Sequence, residues 1–214
     1  MLKKCAKISK MMFLLLGILV LLSWLGFSFF KTVIKPLDRS KFHGTVFDKP
    51  RAIKSFVLIG IDKQPFDNEH LKGQWTMLFF GFTSCTTICP LTMAELAKMY
   101  RILEAKGVKP RPTVVMVSVD PVRDNLKKVS HYVKAFHPEF YGATGDQAQI
   151  EVMAKDLGIA YEKRSPAAGE KPQDYSMVHS GTVMLFDPQG NLRELFTQPQ
   201  QASWLAQDYL LFVS

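Results

Sequence analysis

Ten residues decide the fold of this chain: Gly81-Phe82-Thr83-Ser84-Cys85-Thr86-Thr87-Ile88-Cys89-Pro90. The apolar, aromatic run over residues 75–80 precedes them and predicts a buried strand. Apolar residues follow at helical spacing up to Leu103, and Pro90 suits the first helical position because its missing N–H costs nothing there. The cysteines are therefore predicted on a strand-to-helix turn, with Cys89 nearest the helix. At such a turn, exposed N–H groups and the helix dipole favour a thiolate.

The rest of the chain predicts strands that alternate with helices, then a hairpin and a closing helix. Residues 113–119 form a β-branched run that is typical of a parallel strand covered on both faces. Further strands are predicted at 53–61, 140–144, 178–187 and 192–197, helices at 90–105, 126–136, 147–157 and 203–212, and loops at 40–50 and 165–174. This order predicts an α/β, thioredoxin-like fold.

The positive charge of the chain is concentrated at its start. The sequence holds 27 basic and 19 acidic residues, but six of the lysines precede Asp38, the first acidic residue, and without them 21 basic residues remain. The basicity therefore flanks one hydrophobic segment, and it gives no support to nucleic-acid binding.

That segment, residues 11–30, has 20 uncharged and mostly apolar residues, enough to cross a bilayer as a helix. It ends in Phe27-Ser28-Phe29-Phe30-Lys31 rather than in the small residues of a cleavage site, which favours an uncleaved transmembrane anchor over a signal peptide. Four lysines precede it and two follow, so residues 1–10 are expected in the cytoplasm. We expect a linker over 31–50 and one domain over 51–214, held in the periplasm by a bacterial inner membrane.

Of the three cysteines, Cys5 lies on the other side of the predicted anchor from the remaining two. Cys85 and Cys89 are thus an isolated pair in an exported domain, where structural disulfides are common. A bridge that closes so short a loop removes little chain entropy. The spacing therefore favours chemistry over a structural crosslink.

Two cysteines at this spacing also invite a metal, and a histidine is the natural residue to complete its site. His179 opens an apolar strand directly after the predicted loop, where a metal ligand and a hydrogen-bonded edge-strand histidine are equally good interpretations. The other histidines lie in a lead-in, in a polar loop and beside a helix, which is more typical of surface residues: His43, His70, His131 and His137.

Three motifs occur along the chain: Gly81 to Pro90, Val117 to Asp124, and Tyr175 to Ser180 followed by Asp187-Pro188-Gln189-Gly190. Together and in this order they resemble the motifs of the Sco/SenC family of copper chaperones for cytochrome c oxidase assembly. The resemblance implies a thioredoxin-like fold, one amino-terminal membrane anchor, and copper bound by Cys85, Cys89 and His179.

The resemblance also implies a task and partners. The task is to deliver copper to, or reduce the cysteines of, the dinuclear copper site of cytochrome c oxidase subunit II. Thioredoxin-like reductants and other copper carriers are further expected partners. Two departures from the family pattern leave the ligands in place: Val178 stands where aspartate is common, and Thr86-Thr87-Ile88 lies between the cysteines. Asp120 is a candidate to orient a ligand or partner, and equally a turn-initiating residue before Pro121.

The chemistry of these residues agrees with copper. Two thiolates and one imidazole form a soft site with few ligands, which suits copper better than magnesium or calcium, and structural zinc would want a fourth protein ligand. Oxidation of Cys85 and Cys89 to a redox-active disulfide would expel the metal. We therefore expect a metallochaperone rather than an enzyme.

Three other functions compete with this interpretation. The first is a metal-independent thiol-disulfide oxidoreductase, although such enzymes usually have two residues between their cysteines. The second is a peroxidase that would use Cys85 with Arg123. The third is a purely structural membrane protein, which leaves the cysteine pair without a role.

Overall fold

A computed structural model describes residues 15–24, 37–166 and 175–213, and the chain divides into two compact units, Met1–Asp38 and Arg39–Ser214. In the first unit, residues 15–24 are helical (α1) and expose apolar side chains such as Leu19 and Trp24. The rest of the predicted anchor, residues 11–14 and 25–30, lies outside the described residues. Over the described ranges, no helix has both the length and the apolar character needed to cross a membrane.

The second unit is an α/β domain built on a mixed sheet of eight strands. Its described strands, in chain order, are β1 (Thr45–Arg51), β2 (Val57–Gly60), β3 (Pro65–Asp67), β4 (Thr76–Gly81), β5 (Thr113–Ser118), β6 (Tyr141–Thr144), β7 (Tyr161–Arg164), β8 (Ser176–His179), β9 (Val183–Phe186) and β10 (Leu192–Phe196). The sheet order is β1-β10-β9-β4-β5-β6-β2-β3, and β7 and β8 pair with each other separately. The α/β prediction is confirmed.

Four helices pack around the sheet in the described part of this unit: α2 (Ile88–Ala105), α3 (Leu126–Phe136), α4 (Gln147–Asp156) and α5 (Ala202–Val213). Helix α2 packs against α5, α3 against β6, and α4 against β2. The sequence predicts all four helices, but α2 begins earlier than expected, at Ile88. Pro90 therefore lies within its first turn, where a missing N–H still removes no intrahelical hydrogen bond.

The parallel strands β4 and β5 form the centre of the sheet. Their register places Phe80 opposite Val117 and Gly81 opposite Ser118. The side chains of β4 from Met77 to Phe80 have no exposed surface, as expected for a parallel strand covered on both faces. Since parallel strands end at the same edge, the cysteine turn after β4 and the loop after β5 leave the sheet side by side.

Two sequence predictions about strands are wrong. The loop predicted over residues 40–50 contains β1, an edge strand that pairs with β10 and buries only Val46 among its own residues, so it lacks the alternating pattern of a strand. The strand predicted over 178–187 is divided, because β8 ends at His179 and β9 begins at Val183. A Cβ at Gly181 would lie 2.5 Å from Ile88 Cγ2, so the chain between β8 and β9 passes directly beside the start of α2.

Candidate metal centre

The turn after β4 brings both cysteines to the N-terminus of α2. The Cys85 N–H donates to the Phe82 carbonyl (3.2 Å), and Cys89 is fully buried in the first helical turn. Thr87 precedes the helix but makes no side-chain capping hydrogen bond within the described chain. Instead the Cys89 N–H donates to the Cys85 sulfur over 3.4 Å. The sulfur thus occupies the place of a capping oxygen, at the positive end of the helix dipole.

A buried carboxyl group, that of Asp124, ties this turn to the end of β5. The Thr83 N–H donates to Asp124 Oδ2 (2.8 Å), and Thr83 Oγ1 donates to Oδ1 (2.5 Å). From β5, Ser118 Oγ donates to the same Oδ2 (2.6 Å). Asp124 is 1% exposed, so protein donors take the place of water around it. These bonds fix the backbone immediately before Cys85.

His179 reaches the cysteines from the small sheet formed by β7 and β8. Its Nε2 lies 3.1 Å from Cys89 Sγ and 3.9 Å from Cys85 Sγ. Its ring meets the ring of Phe82 edge-on, with 5.5 Å between centroids. Its Nδ1 lies 3.2 Å from the Ser180 carbonyl. With a proton on Nδ1, the ring donates a hydrogen bond to the Ser180 carbonyl, and the lone pair of Nε2 faces the two sulfurs.

The chain after His179 is held against α2 by two glutamines. The Gly181 carbonyl accepts hydrogen bonds from Gln200 Nε2 (2.5 Å) and Gln198 Nε2 (3.4 Å). Gln198 Nε2 also donates to Thr92 Oγ1 on α2 (3.0 Å). Since Cys89 is on the same helix, these contacts fix the histidine relative to the buried sulfur.

The chain before β8 is held by Asp120, Arg123 and Tyr175. The Tyr175 hydroxyl and the Arg123 guanidinium both donate to the Asp120 carboxyl group, and Arg123 Nη1 donates to the Tyr175 carbonyl (2.8 Å). The guanidinium also stacks on the Tyr175 ring, 3.7 Å from its centroid. Through these hydrogen bonds Asp120 holds the chain that leads into β8 and His179. The backbone carbonyl of Asp120 also accepts a hydrogen bond from the Arg123 N–H, which forms a turn. Both interpretations of Asp120 are therefore compatible with its contacts.

The two thiols differ in acidity. The hydrogen bond with Cys89 lowers the pKa of Cys85 to about 4, and His179 and the N–H groups of Cys89 and Thr87 act in the same direction against the effect of burial. The same hydrogen bond, together with burial, raises the pKa of Cys89 above its ordinary value. Both cysteines are free in the structure. The thiolate that the sequence predicts at this turn is therefore on Cys85, which is half-buried. The thiol of Cys89, which lies nearest the helix, keeps its proton.

We expect alkylation of Cys85 by iodoacetamide to be almost independent of pH between about 5 and 8, because the thiolate is the nucleophile and its pKa is about 4. The rate should fall only as the pH drops towards that value. In a Cys89→Ala variant the hydrogen bond is lost, so the pKa of Cys85 should rise and the rate at pH 5 should fall well below the rate at pH 8. Peptide mapping of the metal-free protein measures the alkylation rate at Cys85 alone. If that rate rose steeply with pH in both the unmodified chain and Cys89→Ala, the assignment of the thiolate to Cys85 would be contradicted.

The arrangement of the three donors fits one soft metal ion. The ligand atoms of Cys85, Cys89 and His179 all lie within 4.8 Å of one another. With a metal–nitrogen bond of about 2.0 Å and metal–sulfur bonds of about 2.3 Å, a planar three-coordinate ion needs donors about 3.7 to 4.0 Å apart. The 3.9 Å between His179 Nε2 and Cys85 Sγ meets this requirement, whereas the 3.1 Å between Nε2 and Cys89 Sγ would have to widen when the ion binds. The sulfurs and the imidazole are donors that copper prefers, and hard cations such as magnesium would require oxygen ligands.

The other four histidines, all within the described ranges, do not join this cluster. Their surroundings differ: His43 stacks on Trp204 beside Asp208, His70 bonds to Asp67, His137 packs against Tyr100, and His131 is exposed on α3. Each of them has surroundings of its own, apart from Cys85, Cys89 and His179.

Sequence reasoning gave no role to four residues that position the centre: Asp124, Tyr175, Gln198 and Gln200. Asp124 and Tyr175 lie inside the motifs quoted above, so a signal for them was present. The two glutamines lie outside every motif. Their function depends on a turn beside α2 that no local pattern reveals.

Comparisons with known proteins agree with this geometry. A family model described as SCO1/SenC matches residues 46–212. A candidate copper-binding protein of Stutzerimonas stutzeri is 36% identical over 145 residues, which are 68% of this chain and 69% of that protein. Several other curated relatives are longer, and the matches cover between 41% and 58% of their lengths.

Two solved structures extend the comparison to the fold. The crystal structure of Arabidopsis thaliana ScoI with copper bound has a TM-score of 0.66 and 34% identity, over 75% of this chain and 96% of that one. The solution structure of apo Sco1 from Thermus thermophilus has a TM-score of 0.68 and 30% identity, over 80% of this chain and 96% of that one.

Proposed function

Because this chain belongs to the SCO1/SenC family, we propose that it binds one copper ion through Cys85, Cys89 and His179 and serves cytochrome c oxidase assembly. One observation carries the proposal: two sulfurs and an imidazole nitrogen, from segments about 90 residues apart in the sequence, converge on one point. Copper as the metal is supported by the copper-bound relative from Arabidopsis thaliana.

The finer part of the proposal concerns the recipient. We propose that the copper goes to the dinuclear site of cytochrome c oxidase subunit II, or that the thiol pair reduces the cysteines of that site before copper enters. The apolar run over residues 11–30 would anchor the protein in a bacterial inner membrane, with the domain in the periplasm. The exposed apolar side chains of residues 15–24 support this placement, since a helix with an apolar surface needs an apolar environment.

Transfer would proceed by stepwise exchange of ligands. Cys85 is the most accessible member of the set and is half-buried, whereas Cys89 and His179 are 0% and 6% exposed. An incoming thiolate would therefore replace Cys85 first, with the copper still held by the two buried donors. His179 would be released next, once the contacts that hold the chain at Tyr175 and Gly181 open. Because β8 belongs to a small separate sheet, this step would leave the buried sheet around β4 in place.

The test is a titration of the purified full chain with cuprous ion, in competition with a coloured chelator. One equivalent should bind, and single substitutions Cys85→Ser and Cys89→Ser should each abolish tight binding, because a two-donor site cannot compete with the chelator. Binding of one cuprous ion with unchanged affinity in both serine variants would refute the site.

A second candidate function is thiol-disulfide oxidoreduction without metal, which the unequal acidity of the thiols favours. The Cys85 thiolate would attack a target disulfide and release one target sulfur as a thiolate. Cys89, after losing its proton, would then displace the second, which leaves a Cys85–Cys89 disulfide and a reduced target. Turnover of a disulfide substrate at a rate insensitive to a copper chelator would favour this function.

A further inference from the structure

Met177 lies on the strand that carries His179, two residues before it. Residues two apart on a β-strand project to the same face, so the Met177 side chain points to the side from which His179 meets the sulfurs. Along β8 these two side chains are the more buried ones, while Ser176 before them and Val178 between them are exposed. Met177 therefore carries its thioether on the face of β8 that also carries His179.

Met177 and Cys85 line the same cleft. The cleft has a volume of about 230 Å³ and is walled by Phe82, Cys85, Thr87, Arg123, Tyr175 and Met177. Cys89 and His179 do not line this cleft, and both are buried. The cleft is therefore the route from solvent to Cys85, and Met177 stands on its wall.

We propose that the thioether of Met177 binds cuprous ion in this cleft. Met177 would hold the ion while the bond between the ion and Cys85 breaks. The inference rests on the proposed function, since it concerns copper bound by the cysteines and the histidine. The transfer is a ligand exchange without a change of oxidation state: the bond between copper and the Met177 sulfur forms as the bond to Cys85 breaks, and Cys85 remains a thiolate.

The chemistry of methionine suits this role. Thioethers select soft cuprous ion and bind hard cations poorly. An uncharged sulfur also binds more weakly than a thiolate, so it can receive the ion and still give it up to an acceptor.

The competing explanation is packing, because Met177 is partly buried against the hydrophobic core. Leucine has nearly the same volume, so a Met177→Leu substitution preserves packing and removes only the donor atom. Met153→Leu, at a buried position on α4, is the matched control for a methionine that lies in the core.

The experiment uses the full chain with ¹³C-labelled methionine methyl groups and silver(I) nitrate as a redox-inert stand-in for cuprous ion. The Met177 signal is identified by its loss in Met177→Leu. In a Cys85→Ser variant, where the Cys85 bond cannot form, we expect one equivalent of silver(I) to shift the Met177 signal more than the Met153 signal. The rate at which bound cuprous ion passes to a dithiol acceptor should fall about tenfold in Met177→Leu, the size expected for the loss of one weak bond to the ion. The rate should stay unchanged in Met153→Leu.

The outcomes separate the two proposals. If silver(I) protects Cys85 from alkylation in the unmodified chain but leaves the Met177 signal in place in Cys85→Ser, the role of Met177 is refuted and the three-donor site stands. If one equivalent of silver(I) neither protects Cys85 nor moves any methionine signal, the proposed function fails and the inference falls with it. Equal release rates in Met177→Leu and the unmodified chain would also refute the inference, because the substitution preserves the packing.

Discussion

Replacing His179 by alanine is expected to weaken cuprous ion binding by more than a hundredfold. Loss of a residue that merely supports a metal ligand typically costs about 10- to 100-fold in affinity, and His179 is placed as a ligand itself, 3.1 Å from Cys89 Sγ. The two sulfurs alone would leave a lower-coordinate ion that a competing chelator removes. Competition titration of the full chain with a cuprous chelator measures the change.

The matched control is His131→Ala, since His131 is exposed on α3 and takes no part in the cluster. It should bind cuprous ion like the unmodified chain. The urea midpoint of His179→Ala should also stay close to that of the unmodified chain, because the neighbouring Gly181 is held independently by Gln198 and Gln200. Unchanged affinity in His179→Ala, with the fold intact, would remove the histidine from the site.

The cysteine turn is the part of the site that sequence alone predicts well. The strand, the turn and the helix are consecutive, so local patterns place Cys85 and Cys89 correctly relative to each other. Their acidity is less accessible from sequence. The helix dipole alone favours a thiolate on the residue nearest the helix, but burial of Cys89 and its hydrogen bond to Cys85 move the charge to the outer sulfur.

The placement of His179 depends on contacts between distant segments, and local patterns reveal less of it. The apolar residues on both sides of Gly181 give a continuous strand pattern, although the chain leaves one sheet there and enters another. Strand β7, the partner of β8, has the sequence Tyr-Glu-Lys-Arg, with too few apolar residues to signal a strand. The sequence marks His179 as a candidate because it opens a predicted strand after a loop and lies in a motif, but its distance from the sulfurs follows only from the three-dimensional pairing.

Asp124→Ala is expected to lower the free energy of unfolding by about 3 kcal/mol or more. The substitution leaves the Thr83 N–H, the Thr83 hydroxyl and the Ser118 hydroxyl without their acceptor in a buried place. Each buried group left unpaired costs about 1–3 kcal/mol. Urea denaturation of the metal-free protein measures the loss. Asp124→Asn should cost less, because the amide oxygen keeps one acceptor in position.

A suitable control is Asp146→Ala, since Asp146 is exposed before α4 and makes no side-chain capping hydrogen bond within the described chain. Its only expected loss is the interaction with the helix dipole, under about 1 kcal/mol. Asp124→Asn also tests function, because Thr83 lies two residues before Cys85. If the carboxyl group fixes the turn for metal binding, this milder variant should remain folded and bind cuprous ion about 10- to 100-fold more weakly. Full affinity in folded Asp124→Asn would mean that the cysteine turn keeps its shape without this carboxyl group.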